Sequence, residues 1–134
     1  MKTDKASFDV TIRYFDLDAN KHVNNSVYFT YMEEARTQLL LDQFLEWGKE
    51  GIYFIVTEAS CKYKKQITFL DKVSIKLSIE NIKGVSFEIN YRFVDPSGQE
   101  YAQGKTRMAC INEKTGRLYR LPQDGIEYLE KFSV

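Results

Sequence analysis

FDVTIRYFDLDANKHVNNSVYFTYMEEARTQLLLDQFL, residues 8–45, decides the fold, because its hydrophobic period changes partway along. Phe8, Val10, Ile12 and Tyr14 alternate with Asp9, Thr11 and Arg13, the period of two that marks a half-buried strand. Asp16-Leu17-Asp18-Ala19-Asn20-Lys21-His22 then supplies turn-forming residues. From about Ser26 the spacing becomes helical. Tyr28, Tyr31 or Met32, Ala35 and Leu39 share one face, with Thr30, Glu34, Thr37 and Gln38 at polar positions. This predicts one long amphipathic helix to about Leu45, with Asn24, Asn25 or Ser26 as its N-cap.

After Gly51 the chain reads as strands. Ile52 to Thr57 and Ala59 to Phe69 are rich in aromatic and β-branched residues; Val73 to Ile79 and Val85 to Phe93 alternate; Gln99 to Ile111 adds one more. Asp95-Pro96-Ser97-Gly98 and Asn112-Glu113-Lys114-Thr115-Gly116 are turns, and Gln123 to Lys131 is weakly helical. Connections this short force antiparallel pairing, since parallel neighbours need long crossovers. The expected class is α+β, one helix packed on, and wrapped by, an antiparallel sheet of about five strands. With only two prolines and no linker-like or repeated segment, residues 1–134 are expected to form a single domain.

The 19 basic and 19 acidic residues cancel, which argues against nucleic acid or an anionic membrane as partner. Nine Tyr, nine Phe and one Trp supply enough aromatic surface for a real core, a deep apolar pocket, or both. Cys61 and Cys110 are distant and lack a CxxC partner, so reduced thiols and a cytoplasmic location are expected. The opening MKTDKASFDV has no apolar leader core, and no run is long enough to span a membrane; the sequon at Asn24 carries no weight without a leader.

No G-x-S-x-G elbow, P-loop or G-x-G-x-x-G is present. His22 is the only histidine, which leaves too few ligands for zinc, so neither metal nor cofactor is expected. What remains is the polar cluster Asp16, Asp18, Asn20, His22, Asn24 and Asn25 between strand and helix. Turn and cap chemistry accounts for one or two such residues. The density goes further, because a carboxylate, an imidazole and the N–H groups of a helix start converge. A helix N-terminus can hold negative charge developing on a carbonyl oxygen, and a carboxylate can act as nucleophile or general base. Together they describe acyl transfer.

Arg13 to Arg36, about 24 consecutive residues, resembles the signature R-Y-x-D-x-D-x-x-x-H-V-N-N-x-x-Y-x-x-Y-x-E-x-A-R of the 4-hydroxybenzoyl-CoA thioesterase-like hotdog family. Thr57 to Phe69 with Leu70-Asp71-Lys72-Val73, then Thr115-Gly116-Arg117 and Leu121-Pro122, extend the likeness along nearly the whole chain. The resemblance implies a hotdog fold, a homodimer or homotetramer with sites at subunit interfaces, and hydrolysis of acyl thioesters.

The same resemblance implies that Asp18 is the catalytic carboxylate, as nucleophile or as base for water, while Asp16 holds the turn. It assigns the N–H that polarises the thioester carbonyl to Asn25. The D-x-N-x-H-V-N-N pattern of plant-type acyl-ACP thioesterases, matched by Asp18, Asn20, His22, Val23, Asn24 and Asn25, implies catalytic or orienting roles for Asn20 and His22. If His22 is the base, Asp18 orients it. Lys21 stands where many members carry Gly, so no positive φ is expected there.

Lys62, Lys64 and Lys65 are candidates for the phosphates of coenzyme A or acyl carrier protein. Asn24 and Tyr28 are further substrate-binding candidates, and Tyr28, Tyr31, Phe54, Tyr63 and Phe69 could line an acyl channel or simply pack the core. Glu58 reads best as a solvated strand residue, and Glu33 with Arg36 as an i, i+3 ion pair on a helix surface or interface. Two other functions fit the same fold: an acyl-thioester hydratase or dehydratase, and a non-catalytic acyl-thioester binding module.

Overall fold

In the computed structural model, which describes residues 6–133, strand β1 (Ser7–Asp9) is followed by a 3-10 turn (Tyr14–Asp16) and helix α1 (Val27–Lys49). Strands β2 (Ile52–Tyr63), β3 (Ser74–Lys83), β4 (Ser86–Val94) and β5 (Glu100–Asn112) come next, and helix α2 (Gln123–Glu130) closes the chain. The leader reading of the first five residues lies outside the described part. All pairings are antiparallel in one sheet ordered β1-β3-β4-β5-β2, which leaves β2 at an edge. The α+β expectation holds.

The sheet face toward α1 carries Ile75, Leu77 and Ile79 from β3 and Phe87, Ile89, Tyr91 and Phe93 from β4, all buried. From α1 come Tyr28, Tyr31, Met32, Ala35, Leu40 and Trp47. Contact is close at one point: a Cβ on Gly104 of β5 would sit 2.6 Å from Met32 Sδ, so a larger residue there would displace the flexible end of the Met32 side chain.

Three boundaries differ from expectation. The first strand stops at Asp9, and Tyr14 is 71% exposed. Its partner β3 begins at Ser74, opposite Asp9, so beyond the Val10 N–H bond to Val73 O no strand remains for Thr11–Tyr14 to pair with. The stretches Ile52–Thr57 and Ala59–Phe69 are one strand broken by a bulge between Val56 and Glu58, and it ends at Tyr63. Helix α1 continues past Leu45 because Trp47, buried against Phe44, Phe54 and Tyr128, belongs to the core. It is also Leu40 rather than Leu39 that is fully buried.

Candidate active site

The loop between β1 and α1 is built on two aspartates with different duties. Asp16 accepts the Arg13 N–H at 2.9 Å and the Tyr31 hydroxyl at 2.6 Å on the same carboxylate oxygen, and its carbonyl accepts the Asn24 N–H at 2.9 Å. Tyr31 is fully buried, and burial beside Asp16 pushes its phenol far above the ordinary value, so it stays a proton donor. Asp16 therefore ties the 3-10 turn, the helix and the residue before Asn25 into one unit. The turn-holding role assigned to it is what its contacts describe.

Asp18 closes a tight loop on His22. Its N–H donates to His22 O at 2.8 Å, and its Oδ1 accepts the N–H groups of Asn20 at 2.8 Å and His22 at 3.2 Å. Oδ2 has no hydrogen-bond partner among the described residues, which leaves one carboxylate oxygen free to react. The turn is completed at Lys21 with φ +65°, contrary to the expectation that no positive φ was needed. The loop keeps the left-handed residue that glycine would make easy, because five residues must reverse direction between the Leu17↔Val23 pair. His22 is held from the far side by its pairing with Thr68, and Val23 N–H bonds to Ile67 O at 2.8 Å.

The start of α1 is shaped by Asn24, whose Oδ1 accepts both the N–H (3.0 Å) and the hydroxyl (2.9 Å) of Ser26. Ser26 is the N-cap residue, yet its own side chain caps nothing; Asn24 instead forms a side-chain turn onto Ser26 that fixes the entry to the helix. The Asn25 carbonyl accepts the Tyr63 hydroxyl at 2.8 Å, while the Asn25 N–H has no partner among the described residues. An open N–H at the positive end of a 23-residue helix is what an oxyanion needs.

A cavity of about 330 Å³ gathers Asp18, His22, Asn25, Tyr28, Lys64 and Lys65, together with Val23, Tyr63 and Gln66. Tyr28 packs edge-on to Tyr63 at 4.8 Å, and burial raises its phenol to about 12, keeping it neutral. Burial also pushes the Cys61 thiol up to about 11, so no thiolate competes as nucleophile at neutral pH. Lys64 is bonded to Glu100 at 2.6 Å, and Lys65 lies over the Tyr101 ring at 5.2 Å.

Three predicted site residues lie elsewhere. Asn20 sits exposed at the loop tip, Asn24 is committed to Ser26, and Lys62 lines a separate depression of about 510 Å³ with Arg92, Gln103 and Lys105. Glu58 faces solvent beside Arg107 at 3.8 Å. Gln66 carries no signal in the sequence, and Tyr63 gave only the generic one of an aromatic residue on a strand. Among the described residues no group of three or more His, Cys, Asp or Glu converges as a metal site, and no helix is long and apolar enough to cross a membrane.

The long-chain acyl-CoA thioesterase FadM of Escherichia coli (strain K12) is 28% identical to this chain over 125 residues, covering 91% of it and 95% of FadM. The crystal structure of YbaW from Escherichia coli matches with a TM-score of 0.86 at 26% identity, covering 96% of this chain and 99% of the other. DHNA-CoA thioesterase from Staphylococcus aureus matches with a TM-score of 0.82 at 25% identity, covering 95% and 87%. The model of the thioesterase-like superfamily aligns with residues 12–129, from just after the first strand into the last helix, and this chain belongs to that superfamily.

Proposed function

We propose that this chain hydrolyses acyl-CoA thioesters to a free acid and coenzyme A. The observation that carries the reading is a carboxylate with one uncommitted oxygen, Asp18 Oδ2, on the same cavity as the unpartnered Asn25 N–H. The Asn25 N–H and the α1 dipole polarise the thioester carbonyl, and their hold strengthens as charge moves onto its oxygen. Asp18 Oδ2 attacks the carbonyl carbon, or takes a proton from a water that does. The thiolate leaves in either case; after direct attack a water hydrolyses the resulting mixed anhydride, releasing the free acid and restoring the Asp18 carboxylate, and a thioester is activated enough to need no metal. His22 flanks the carboxylate, and the neutral Tyr28 phenol offers a donor. Acyl-CoA activity in FadM and DHNA-CoA thioesterase, both aligned over most of their length, supports the choice of carrier. Lys65, with Lys64 beside it, meets the carrier's phosphates.

A second copy of the chain completes the site. Strand β2 is a 12-residue edge, and Tyr53, Ile55 and Val56 on it are exposed. An edge that long and apolar invites another strand. The unpaired Cys61 and Cys110 fit a reducing compartment, and we place the enzyme in the cytoplasm.

Release of free thiol from an acyl-CoA panel, short aliphatic to long-chain to benzoyl, tests the proposal, with Asp18→Asn alongside. Turnover lost in the variant supports it. Equal turnover by parent and variant rules out the Asp18 mechanism. Binding without turnover by the parent favours acyl carrier protein substrates first and a binding module second.

A further inference from the structure

The Asp18 cavity is made of two halves that meet across a gap. One half is the loop and helix start, which carry Asp18, His22 and Asn25; the other is the end of β2 and the segment after it, which carry Tyr63, Lys64, Lys65 and Gln66. At the loop end the halves are tied through the backbone, by the pairing of His22 with Thr68 and by the Val23 N–H, which donates to Ile67 O at 2.8 Å. At the helix end one side chain does it. The Tyr63 hydroxyl donates to Asn25 O at 2.8 Å, and no other hydrogen bond among the described residues joins residues 24–26 to residues 52–112.

The backbone around Asn25 shows what that bond adds. The Asn24 N–H is held by Asp16 O, and the Asn24 carbonyl by the Val27 N–H, each at 2.9 Å. The Ser26 N–H is held by Asn24 Oδ1 at 3.0 Å. All of these partners lie within residues 16–27, so they set the shape of the turn and leave open where it lies against β2. The Asn25 carbonyl is the group that reaches across. Its ordinary partner in a continuing helix is the Phe29 N–H, which bonds to Ser26 O at 3.2 Å instead. Tyr63 is a firm anchor for it. It is the last residue of β2, paired with Ala102 of β5, and its ring meets Tyr28 edge-on at 4.8 Å, while Tyr28 packs on Phe93 of β4 at 5.3 Å. Partial burial raises its phenol above the ordinary value, so the donor keeps its proton at neutral pH. The bond lies within one chain and on the helix-facing side of β2, so a second copy pairing with the strand edge leaves it in place.

We propose that Tyr63 is a positioning residue for the hydrolysis: through the Asn25 carbonyl it fixes the gap between the helix start and the sheet-side wall, so that the Asn25 N–H meets the thioester oxygen as charge develops there. This rests on the thioesterase reading above. The one proton of the hydroxyl is spent on Asn25 O, so Tyr63 donates nothing to the substrate and acts through Asn25. A displaced N–H weakens the hold on the transition state more than on the ground-state thioester, because that hydrogen bond gains most of its strength from the charge on the oxygen.

Tyr63→Phe keeps the ring against Tyr28 and removes only the hydroxyl. With an acyl-CoA that the parent turns over, kcat should fall by about tenfold or more while KM stays within about twofold. Circular dichroism and sedimentation should match the parent. The inhibition constant of an acyl-CoA trifluoromethyl ketone, whose hydrate has the tetrahedral carbon of the transition state, should rise by the same factor as kcat falls. Binding of the matching S-alkyl-CoA thioether, which has no carbonyl, should not move. A variant with kcat within about twofold of the parent overturns the proposal. So does a loss of thioether binding as large as the loss of kcat, since Tyr63 would then shape the whole cavity rather than the N–H. Tetrafluorotyrosine at position 63, whose hydroxyl ionises near neutral pH, gives a second reading within one folded protein. There kcat should drop as the phenol loses its proton, and a pH profile identical to the parent's overturns the proposal even if Tyr63→Phe fails to fold. A parent inactive on every acyl-CoA removes the thioesterase reading and this inference with it, whereas an active parent equalled by Tyr63→Phe removes this inference alone.

Discussion

Two polar positions lie along α1, and they are held in opposite ways. The Asp18 loop at the helix start is tied by its own neighbours: Asp16 to Arg13, Asp18 to Asn20 and His22, Asn24 to Ser26. Arg36, three turns on, is set by residues far away in the chain, Tyr91 and Thr106 on two different strands. The first takes its tight turn from short-range hydrogen bonds and is then fastened from a distance, His22 to Thr68, Val23 to Ile67 and Asn25 to Tyr63. The second exists only when the sheet is assembled beneath the helix. The proposed chemistry sits on the first of these.

The largest effect should come from breaking the Asp18 loop at its reactive end. Asp18→Asn keeps one acceptor oxygen for the Asn20 and His22 N–H groups but loses the charge, so we expect a fall of about 10³-fold in kcat with the fold intact by circular dichroism. Next comes the link between loop and helix. Tyr31→Phe removes the 2.6 Å bond to Asp16. We expect kcat to fall about tenfold with KM within about twofold, because the loop shifts while the binding walls stay, and stability to drop by about 1–2 kcal/mol in urea denaturation.

Lys21→Gly sharpens the comparison from the other side. A lysine held at φ +65° pays a steric cost of roughly 1 kcal/mol that glycine avoids. Glycine also loses more chain entropy on folding, so the expected gain is a fraction of a kcal/mol, read as a slightly higher Tm. A marked fall in Tm would show that the lysine side chain does work the loop geometry does not.

The smallest effect concerns Glu100, which anchors Lys64 at the cavity rim. Hydrogen bonds from Lys64, Arg92 and Gln103 hold its carboxyl at about 2, below the ordinary carboxylate range. A depressed folded-state value means the stabilisation is complete above the unfolded value near 4.5 and is lost as pH falls toward about 2. Glu100→Gln should therefore cost about 1 kcal/mol or less at pH 7, with the difference in Tm closing between about pH 4.5 and pH 2.

Much of this was legible in residues 8–45. Period two followed by period 3.6 announces strand and helix, and the aspartate and asparagine cluster announces a loop that does more than turn. The errors fall where a partner was needed to decide. Ile12 and Tyr14 alternate like strand residues, but no strand faces them. Thr57 looked like the end of one strand and is a bulge inside a longer one. Lys62, Lys64 and Lys65 read as one basic cluster, yet Lys62 opens on a different depression from the other two, since β2 ends at Tyr63 and Lys64 and Lys65 follow the chain as it leaves the sheet.

The sequence by itself determined the α+β class, the long helix, the antiparallel strands that follow it and the loop that carries Asp18, His22 and Asn25, but not that β2 crosses to pair with β5. Each of these rests on spacing and hydrogen bonds within a few residues, and such short-range physics is written directly in the order of the side chains. Tertiary structure alone decided that Tyr63 clamps the Asn25 carbonyl, that Gln66 lines the cavity, and that Arg36 reaches the Tyr91 hydroxyl. Those contacts join residues up to 55 positions apart, and only the packing of helix on sheet brings them within reach.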